Sequence, residues 1–333
     1  MENRIQEIVS KYYAPENIES IKIFNGRAIV TLRNVAEDPA MTAELTRLVS
    51  GVDGIKKASI VYTAEKKVAP LQEEPAKWQL QGVKKIIGVA SGKGGVGKST
   101  TSVNLALALA NLGLKVALFD ADIYGPSIPT MLGYEGVPPI SFDGQIFQPF
   151  ENMNIASMSI GTLIDRSQPL IWRGSKACGA LEQLLTETNW GEIDVMVIDM
   201  PPGTGDIQLT LSQKLNLDGV VIVSTPQDIA LIDAVKGVNM FKRVDVPILG
   251  IIENMSYYLC EKCGTRADIF GHAGARETAK ELGVDFLGEI PLHLSIRENA
   301  DNGTPIVMAE PESPHTGAYE DIAAKIKIGR AHV

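Results

Sequence analysis

A glycine-rich stretch with two lysines is the part of the sequence whose residue types and spacing indicate chemistry most directly. It reads GKGGVGKS from Gly92 to Ser99 and fits the pattern G-x-x-x-x-G-K-[ST]. In such a loop backbone N–H groups surround nucleotide phosphates, Lys98 reaches the outer phosphates, and the Ser99 hydroxyl reaches Mg²⁺. The residues predicted to bind ATP here are Gly92, Lys93, Gly94, Gly95, Val96, Gly97, Lys98, Ser99 and Thr100.

Three aspartates follow apolar runs that have the character of buried strands. Asp120 and Asp122 lie in FDADIYGPS, and Asp199 ends VMVID before the loop PPGTGD. Because phosphoryl transfer depends mainly on positioning and charge stabilisation, carboxylates beside the phosphates can order Mg²⁺ or orient the attacking water. We assign Asp120 and Asp199, with Ser99, to the metal. Helix capping is the alternative for each aspartate.

The three cysteines are the second candidate for chemistry. Cys260 and Cys263 form a C-x-x-C pair, whereas Cys178 has no partner nearby and is expected to fill a gap in the core. Two thiolates cannot complete a four-ligand shell, so the same pair from a second copy would have to complete it. The spacing alone leaves zinc and an iron-sulfur cluster open. His272 and His293 lack ligand-like spacing and are expected to be structural.

Alternating strand-like and helix-like runs are expected to position these residues. The clearest strands are KKIIGVA, LKVALFD, VMVID, GVVIVST, PILGIIEN and FLGEIP. This alternation predicts the α/β class: a mainly parallel, doubly wound sheet with helices on both faces, preceded by a small α+β domain. Ligands of such sheets bind at the carboxyl ends of the strands, which is where the candidate residues stand.

Shifts in composition predict four segments. Residues 1–64 read as the small α+β domain, with helices at Glu2–Tyr13 and Pro39–Ser50 and a hairpin turn at Asn25-Gly26. Residues 65–83 are polar and proline-containing and read as a linker. Residues 84–327 form the large domain, and we expect 328–333, IGRAHV, to be a non-native tail.

Charge and hydropathy exclude several classes of function. The chain of 333 residues has a net charge of −9 and no basic run, which argues against a general nucleic-acid binder. No apolar segment reaches the roughly 18 residues of a membrane span, and the first residues lack the apolar core of a signal peptide. We therefore expect a cytoplasmic protein with no membrane partner.

Several motifs together resemble one family. GKGGVGKS resembles the deviant Walker A loop of the MinD-like ATPases. With DADIYGPS, DMPPGTGD, STPQD, ENMS, the C-x-x-C and IFGHAG, the chain from 85 to 325 is similar to the Mrp/ApbC family of iron-sulfur cluster carrier ATPases. It departs from the family pattern at Ser175, Lys176 and Ala273, away from the phosphate loop.

The resemblance implies a homodimer that binds ATP, hydrolyses it slowly and carries a bridging [4Fe-4S] cluster between assembly scaffolds and apo iron-sulfur proteins. It implies that Lys93 reaches the phosphates bound to the partner chain, that Asp122 assists hydrolysis and that Asn254 reads the adenine. Cys260 and Cys263 would be the cluster ligands. The N-terminal domain resembles, more weakly, a small iron-sulfur assembly domain; residues 1–177 contain no cysteine, so we expect it to dock or regulate.

Two other functions remain open at this point. A positioning ATPase of the MinD or ParA kind would use its ATP cycle to control attachment to a surface, and it would need an amphipathic tail or a basic face. A dimeric ATPase with a structural zinc would use the same C-x-x-C pair.

Overall fold

The computed structural model describes residues 2–24, 26–35, 38–63, 77–142, 144–163 and 174–329. The chain divides into two compact units, Met1–Glu74 and Pro75–Val333. Asn25 of the predicted turn, residues 65–76 of the predicted linker and residues 330–333 of the predicted tail lie outside the described residues.

The first unit is a three-stranded sheet covered by two helices. Its elements are α1 (Glu2–Val9), β1 (Ile18–Phe24), β2 (Arg27–Arg33), α2 (Pro39–Ser50) and β3 (Lys57–Thr63). β2 is central, antiparallel to β1 and parallel to β3. The Asp38 carboxylate accepts hydrogen bonds from two first-turn amides of α2 and caps that helix. α1 ends at Val9, earlier than predicted, and the chain is extended at Ala14, as expected before Pro15.

The second unit contains the candidate chemistry. Its elements are β4 (Ile86–Ala90), α3 (Lys98–Asn111), β5 (Val116–Asp120), α4 (Ile128–Met131), β6 (Ile140–Ser141), β7 (Phe147–Gln148), β8 (Phe150–Asn152), β9 (Ile155–Ser159), α5 (Gly174–Thr186), β10 (Val195–Asp199), α6 (Asp206–Lys214), β11 (Gly219–Ser224), α7 (Asp228–Arg243), β12 (Ile248–Glu253), β13 (Tyr258–Leu259), β14 (Arg266–Ala267), α8 (Gly274–Leu282), β15 (Phe286–Glu289), α9 (Leu294–Asp301), α10 (Ile306–Ala309) and α11 (Pro314–Gly329).

Eight of these strands form one twisted sheet in the order β15-β12-β11-β4-β10-β5-β9-β8. All neighbours are parallel except β8, which runs antiparallel to β9 at the edge. This confirms the predicted fold class, and each of the six predicted strands is present. β9 was not predicted, because Ser157 and Ser159 interrupt its apolar pattern. Both serines are buried.

Two apolar layers enclose the sheet, one on each face. Successive residues of β4 alternate between them: Ile86 packs in one layer, and Ile87 and Val89 pack in the other. β4, β5, β10 and β11 are buried along their whole length, as expected for parallel strands covered on both faces. This rigid centre holds the loops at the carboxyl ends of the strands.

The end of the predicted linker belongs to the second unit. Trp78 is 6% exposed within the core, its backbone N–H donates to the Lys214 carbonyl at 2.8 Å, and Val83 forms a bridge with Ile193. The prediction that 65–83 is a linker is therefore wrong for its last residues, because apolar side chains among the polar ones anchor this stretch. No helix within the described part of the chain is long and apolar enough to span a membrane.

Candidate functional site

The glycine-rich loop joins the end of β4 to the start of α3 and surrounds a cavity of about 260 Å³. Gly95 and Gly97 have φ of +81° and +79°, a backbone region that favours glycine. A Cβ at Gly97 would collide with the Asn254 amide, and one at Gly92 would collide with the Asp233 carbonyl. The cavity is lined by Ser91, Lys93, Gly94, Gly95, Gly97, Lys98, Ser99, Thr100, Asp122, Gly125, Met131 and Pro202.

Lys98 lies at the floor of this cavity among carboxylates. Its side chain is 6% exposed, and its Nζ lies 2.8 Å from Asp199 Oδ1 and 3.4 Å from Asp122 Oδ2. Burial alone would lower the pKa of Lys98, but the negative charges of Asp199, Asp122 and Asp120 together raise it. The ammonium therefore remains charged, as a phosphate ligand must.

Asp199 ends β10 and is held by the first turn and a half of α3. Its carboxylate is fully buried and accepts hydrogen bonds from Ser99 Oγ and Ser102 Oγ, both at 2.6 Å. Sequence reasoning missed Ser102, although its position three residues after Ser99 places both hydroxyls on one face of the helix. Hydroxyl and carboxylate oxygens are the donors that Mg²⁺ prefers, so Ser99 and Asp199 fit that ion.

The C-x-x-C pair forms the tip of a short hairpin between β13 and β14. The Gly264 N–H donates to the Cys260 carbonyl at 2.8 Å, and the Cys260 N–H donates to the Thr265 carbonyl at 3.0 Å. Cys260 is half-buried, whereas Cys263 is exposed with its Sγ 3.2 Å from the Thr265 hydroxyl. Hydrogen bonding with the Thr265 side chain and backbone lowers the pKa of the Cys263 thiol. Thiolate formation there is favoured, and the thiolate is the metal-binding form.

Within the described residues, no group of three or more His, Cys, Asp and Glu side chains could hold a metal ion. The nearby histidines have other partners, since His293 caps α9 through the Ser295 N–H and His272 Nδ1 lies 2.8 Å from Asp268. Cys178 packs against the core of the second unit. The described part of one copy therefore brings no third side chain of these types to the cysteine pair.

A sequence profile described as ParA, NUBPL iron-transfer P-loop NTPase, matches residues 82–327. The chain belongs to this family. The match spans the whole region that contains the phosphate loop, the three aspartates and the C-x-x-C hairpin.

Individual relatives of this NUBPL-type NTPase agree with the profile. The iron-sulfur cluster carrier protein of Escherichia coli K12 is 50% identical over 285 residues, 86% of this chain and 76% of the relative. The iron-sulfur cluster transfer protein NUBPL of Mus musculus is 51% identical over 254 residues, 76% of this chain and 79% of the relative.

Solved structures share the fold. A nucleotide-binding protein from Archaeoglobus fulgidus in complex with ADP has a TM-score of 0.61 and 37% identity, covering 69% of this chain and 90% of that one. The cell division ATPase MinD of Pyrococcus furiosus has a TM-score of 0.57 and 24% identity, covering 73% and 98%. The second likeness concerns the fold alone.

Asp120 of this NUBPL-type NTPase holds the loop that follows β5. Its Oδ1 accepts from the Asp122 N–H at 3.1 Å, and its Oδ2 accepts from Ser159 Oγ at 2.9 Å and from the Ile128 N–H at 3.3 Å. The side chain is fully buried. These contacts agree with the alternative of helix capping, since Ile128 is the first residue of α4. The place of Asp120 in the metal shell stays a prediction.

The Asp120→Asn variant should gain stability relative to wild type as the pH rises. Burial, and then the negative charge of Asp199, raise the pKa of Asp120 from its ordinary value of 3.8 to about 7. Between pH 3.8 and about 7, the folded protein keeps a proton on Asp120 that the unfolded chain releases. Stability is therefore lost as the pH climbs through this range, by up to about 1.4 kcal/mol per pH unit.

Urea unfolding of the nucleotide-free protein at pH 5, 6, 7 and 8 measures this difference. Asp194→Asn is the matched control, because hydrogen bonds from the Lys84 ammonium and the Lys115 N–H lower the pKa of Asp194. A stability difference between Asp120→Asn and wild type that is the same at pH 5 and pH 8 would contradict the prediction.

Asp122, Lys93 and Asn254 are brought to the same loop. Asp122 lines the cavity and accepts from the Gly125 N–H at 3.3 Å, and burial raises its pKa. Lys93 also lines the cavity and is half-exposed. Asn254 is 6% exposed, and its Nδ2 donates to the Val96 carbonyl at 2.8 Å. Its predicted contact with adenine stays a prediction.

Proposed function

We propose that this chain is an ATP-binding and ATP-hydrolysing carrier that holds a [4Fe-4S] cluster between two copies and passes it to apo iron-sulfur proteins. The observation that carries the proposal is a cysteine pair, half-buried at Cys260 and exposed at Cys263, on a hairpin that follows β12. The residue directly after β12, Asn254, contacts the phosphate loop. The names of the relatives, at about 50% identity, support the same function.

ATP hydrolysis is assigned to the side chains around the cavity. Lys98 would hold the outer phosphates, and Asp122, with its raised pKa, would orient the attacking water and accept its proton. Ser99 and Asp199 would hold Mg²⁺, which neutralises charge that develops on the phosphates. Asp199 also keeps Lys98 in place, so these roles depend on one another.

A second copy of the chain would complete the cluster site. A [4Fe-4S] cluster takes four thiolates, and one chain offers Cys260 and Cys263 from its hairpin. A two-fold axis beside that hairpin brings the same pair from the other copy. The cluster would then be cargo at the interface, exposed enough to leave.

Exposed apolar side chains after the strand ends support this interface. They are Tyr124 after β5, Ile229 and Ile232 at the start of α7, Leu259 and Ile269 around the cysteine hairpin, and Leu294 at the start of α9. Tyr124 is 75% exposed and Ile229 is 70% exposed. All follow the carboxyl ends of strands of the main sheet, the edge that holds the nucleotide cavity, and such apolar surface marks association sites.

Anaerobic reconstitution with iron and sulfide tests the function. We expect bound iron and sulfide in equal amounts, a dimer by light scattering, and transfer of iron to an apo iron-sulfur protein. Zinc without sulfide would indicate the structural-zinc alternative. ATP-dependent sedimentation with liposomes or DNA, in the absence of iron binding, would indicate a positioning ATPase.

Lys93→Ala should abolish ATP-dependent dimerisation while nucleotide affinity is retained. Lys93 borders the cavity, but Lys98 already supplies a cation for the chain's own phosphates. Light scattering with a non-hydrolysable ATP analogue measures the dimer. Lys84→Ala is the control, because this exposed lysine precedes the amino end of β4, opposite the strand ends that border the cavity. ATP-dependent dimerisation of Lys93→Ala equal to that of wild type would contradict a role for Lys93 across the interface.

A further inference from the structure

We propose that Asn254 is a positioning residue that couples occupancy of the phosphate loop to the placement of the cysteine hairpin. This inference rests on the proposed function, because it concerns how the nucleotide site influences the cargo site. The two sites belong to one continuous stretch, in which Cys260 follows Asn254 by six residues.

The first step is the contact between Asn254 and the loop. Its Nδ2 donates to the Val96 carbonyl, and Gly97 lies against the same amide, with no room for a Cβ. The Val96 carbonyl and the Gly97 N–H belong to one trans peptide and point in opposite directions. Asn254 therefore fixes the orientation of the peptide between Val96 and Gly97, and the N–H of that peptide points away from Asn254. Gly97 also lines the cavity.

A phosphate bound in the cavity would accept a hydrogen bond from the N–H of the same peptide. Hydrogen bonds at the two ends of a peptide polarise one another, so an anion at the Gly97 N–H strengthens the bond from Asn254 to the Val96 carbonyl. A rotation of this peptide on nucleotide binding displaces the Asn254 amide instead. In either case the change in the loop acts on the side-chain amide of Asn254, a residue in the turn that leads to the hairpin.

The second step is the connection from Asn254 to its neighbours. The preceding residue, Glu253, is fully buried; its Oε1 accepts from Ser256 Oγ and its Oε2 accepts from the Ala275 N–H in α8, both at 2.6 Å. Met255, which lies between Asn254 and Ser256 in the chain, has a φ of +55°. Both carboxylate oxygens of Glu253 are thus engaged, and they tie the turn to α8.

The third step joins this turn to the hairpin. The Ser256 N–H donates to the Ile290 carbonyl at 3.0 Å, and the Tyr257 carbonyl accepts from the Leu292 N–H at 2.7 Å. The Arg266 guanidinium, on the second hairpin strand, lies 4.1 Å from the centre of the Tyr257 ring. The base of the hairpin is therefore held by the residues that follow Asn254, with no flexible spacer between them.

Alkylation of the cysteines in the full-length, reduced and metal-free protein tests the coupling. Iodoacetamide labelling is followed by peptide mass spectrometry, with and without saturating Mg²⁺ and ADP. Cys178 is the internal reference, because it is half-buried like Cys260 but lies outside the hairpin. We expect ADP to slow labelling of Cys260 by about fivefold or more. Asn254→Ala should reduce this effect to about twofold or less at an ADP concentration raised until the variant is saturated in a fluorescence titration.

Two further variants separate coupling from general damage. Ser256→Ala removes the contact with Glu253 outside the phosphate loop and should weaken the ADP effect as Asn254→Ala does. Ser157→Ala removes another buried serine hydroxyl, which donates to the Phe150 carbonyl on β8, and should retain the full effect. An ADP effect in Asn254→Ala equal to that in wild type overturns the inference.

The outcomes also separate this inference from the proposed function. If wild type does not bind ADP in a fluorescence titration, the proposed function fails together with the coupling. If ADP binds and iron is carried, but Cys260 labelling does not respond to ADP, the coupling alone is wrong.

Discussion

Replacing Lys98 by alanine should reduce ATP hydrolysis by about 10²-fold or more, because its buried ammonium balances charge on the outer phosphates, whereas Lys93, which also lines the cavity, is half-exposed. The same change should destabilise the nucleotide-free protein. Asp199 is fully buried, Asp122 is nearly so, and both lose their ion pair with Lys98. Removing one partner from a buried ion pair typically costs about 3–5 kcal/mol.

Phosphate release and thermal unfolding measure the two effects of Lys98→Ala separately. For a unit of this size the stability loss corresponds to a fall in Tm of roughly 10 °C. Lys98→Arg is the matched control: it keeps the charge and should recover much of the stability, but not the hydrolysis, because the longer planar group cannot occupy the same place between Asp122 and Asp199. Unchanged Tm in Lys98→Ala would show that the carboxylates do not depend on this lysine.

The strands and the phosphate loop could be predicted from the sequence because both are local patterns. A continuous apolar run such as Val195–Asp199 is long enough for one strand and too short for a helix, and the loop motif fixes its own backbone. The carboxyl ends of parallel strands share one edge, so Asp120, Asp122 and Asp199 could be assigned to one site before their distances were known.

The partners of these side chains could not be predicted, because they come from elements distant in the chain. Asp120 and Asp122 are two residues apart and look equivalent in the sequence, yet Asp120 is turned towards Ser159 on β9, whereas Asp122 faces Lys98. Which carboxylate turns away from Lys98 depends on β9, a strand that was not predicted because of its polar residues. Ser102 was missed for the same reason, since only the strand order places β10 beside the first turns of α3.

The partners of the two hairpin cysteines also lie beyond the sequence pattern, because they would come from a second copy of the chain. Replacing either Cys260 or Cys263 should abolish cluster binding. Cys260→Ser and Cys263→Ser each leave a dimer with two thiolates instead of four, too few to hold a [4Fe-4S] cluster. After anaerobic reconstitution we expect about two iron atoms per chain in wild type and background iron in both variants. Nucleotide affinity should be retained, since neither thiol lines the nucleotide cavity.

Cys178→Ser is the control that makes this result specific to the hairpin. Cys178 packs against the core, so its replacement should leave the iron content unchanged. The replacement removes one thiol per chain, as each hairpin variant does. Retention of iron and sulfide in both Cys260→Ser and Cys263→Ser would place the cluster elsewhere. Loss from one variant only would mean that a single thiolate per chain suffices, and the four-thiolate site shared by two copies would then be wrong.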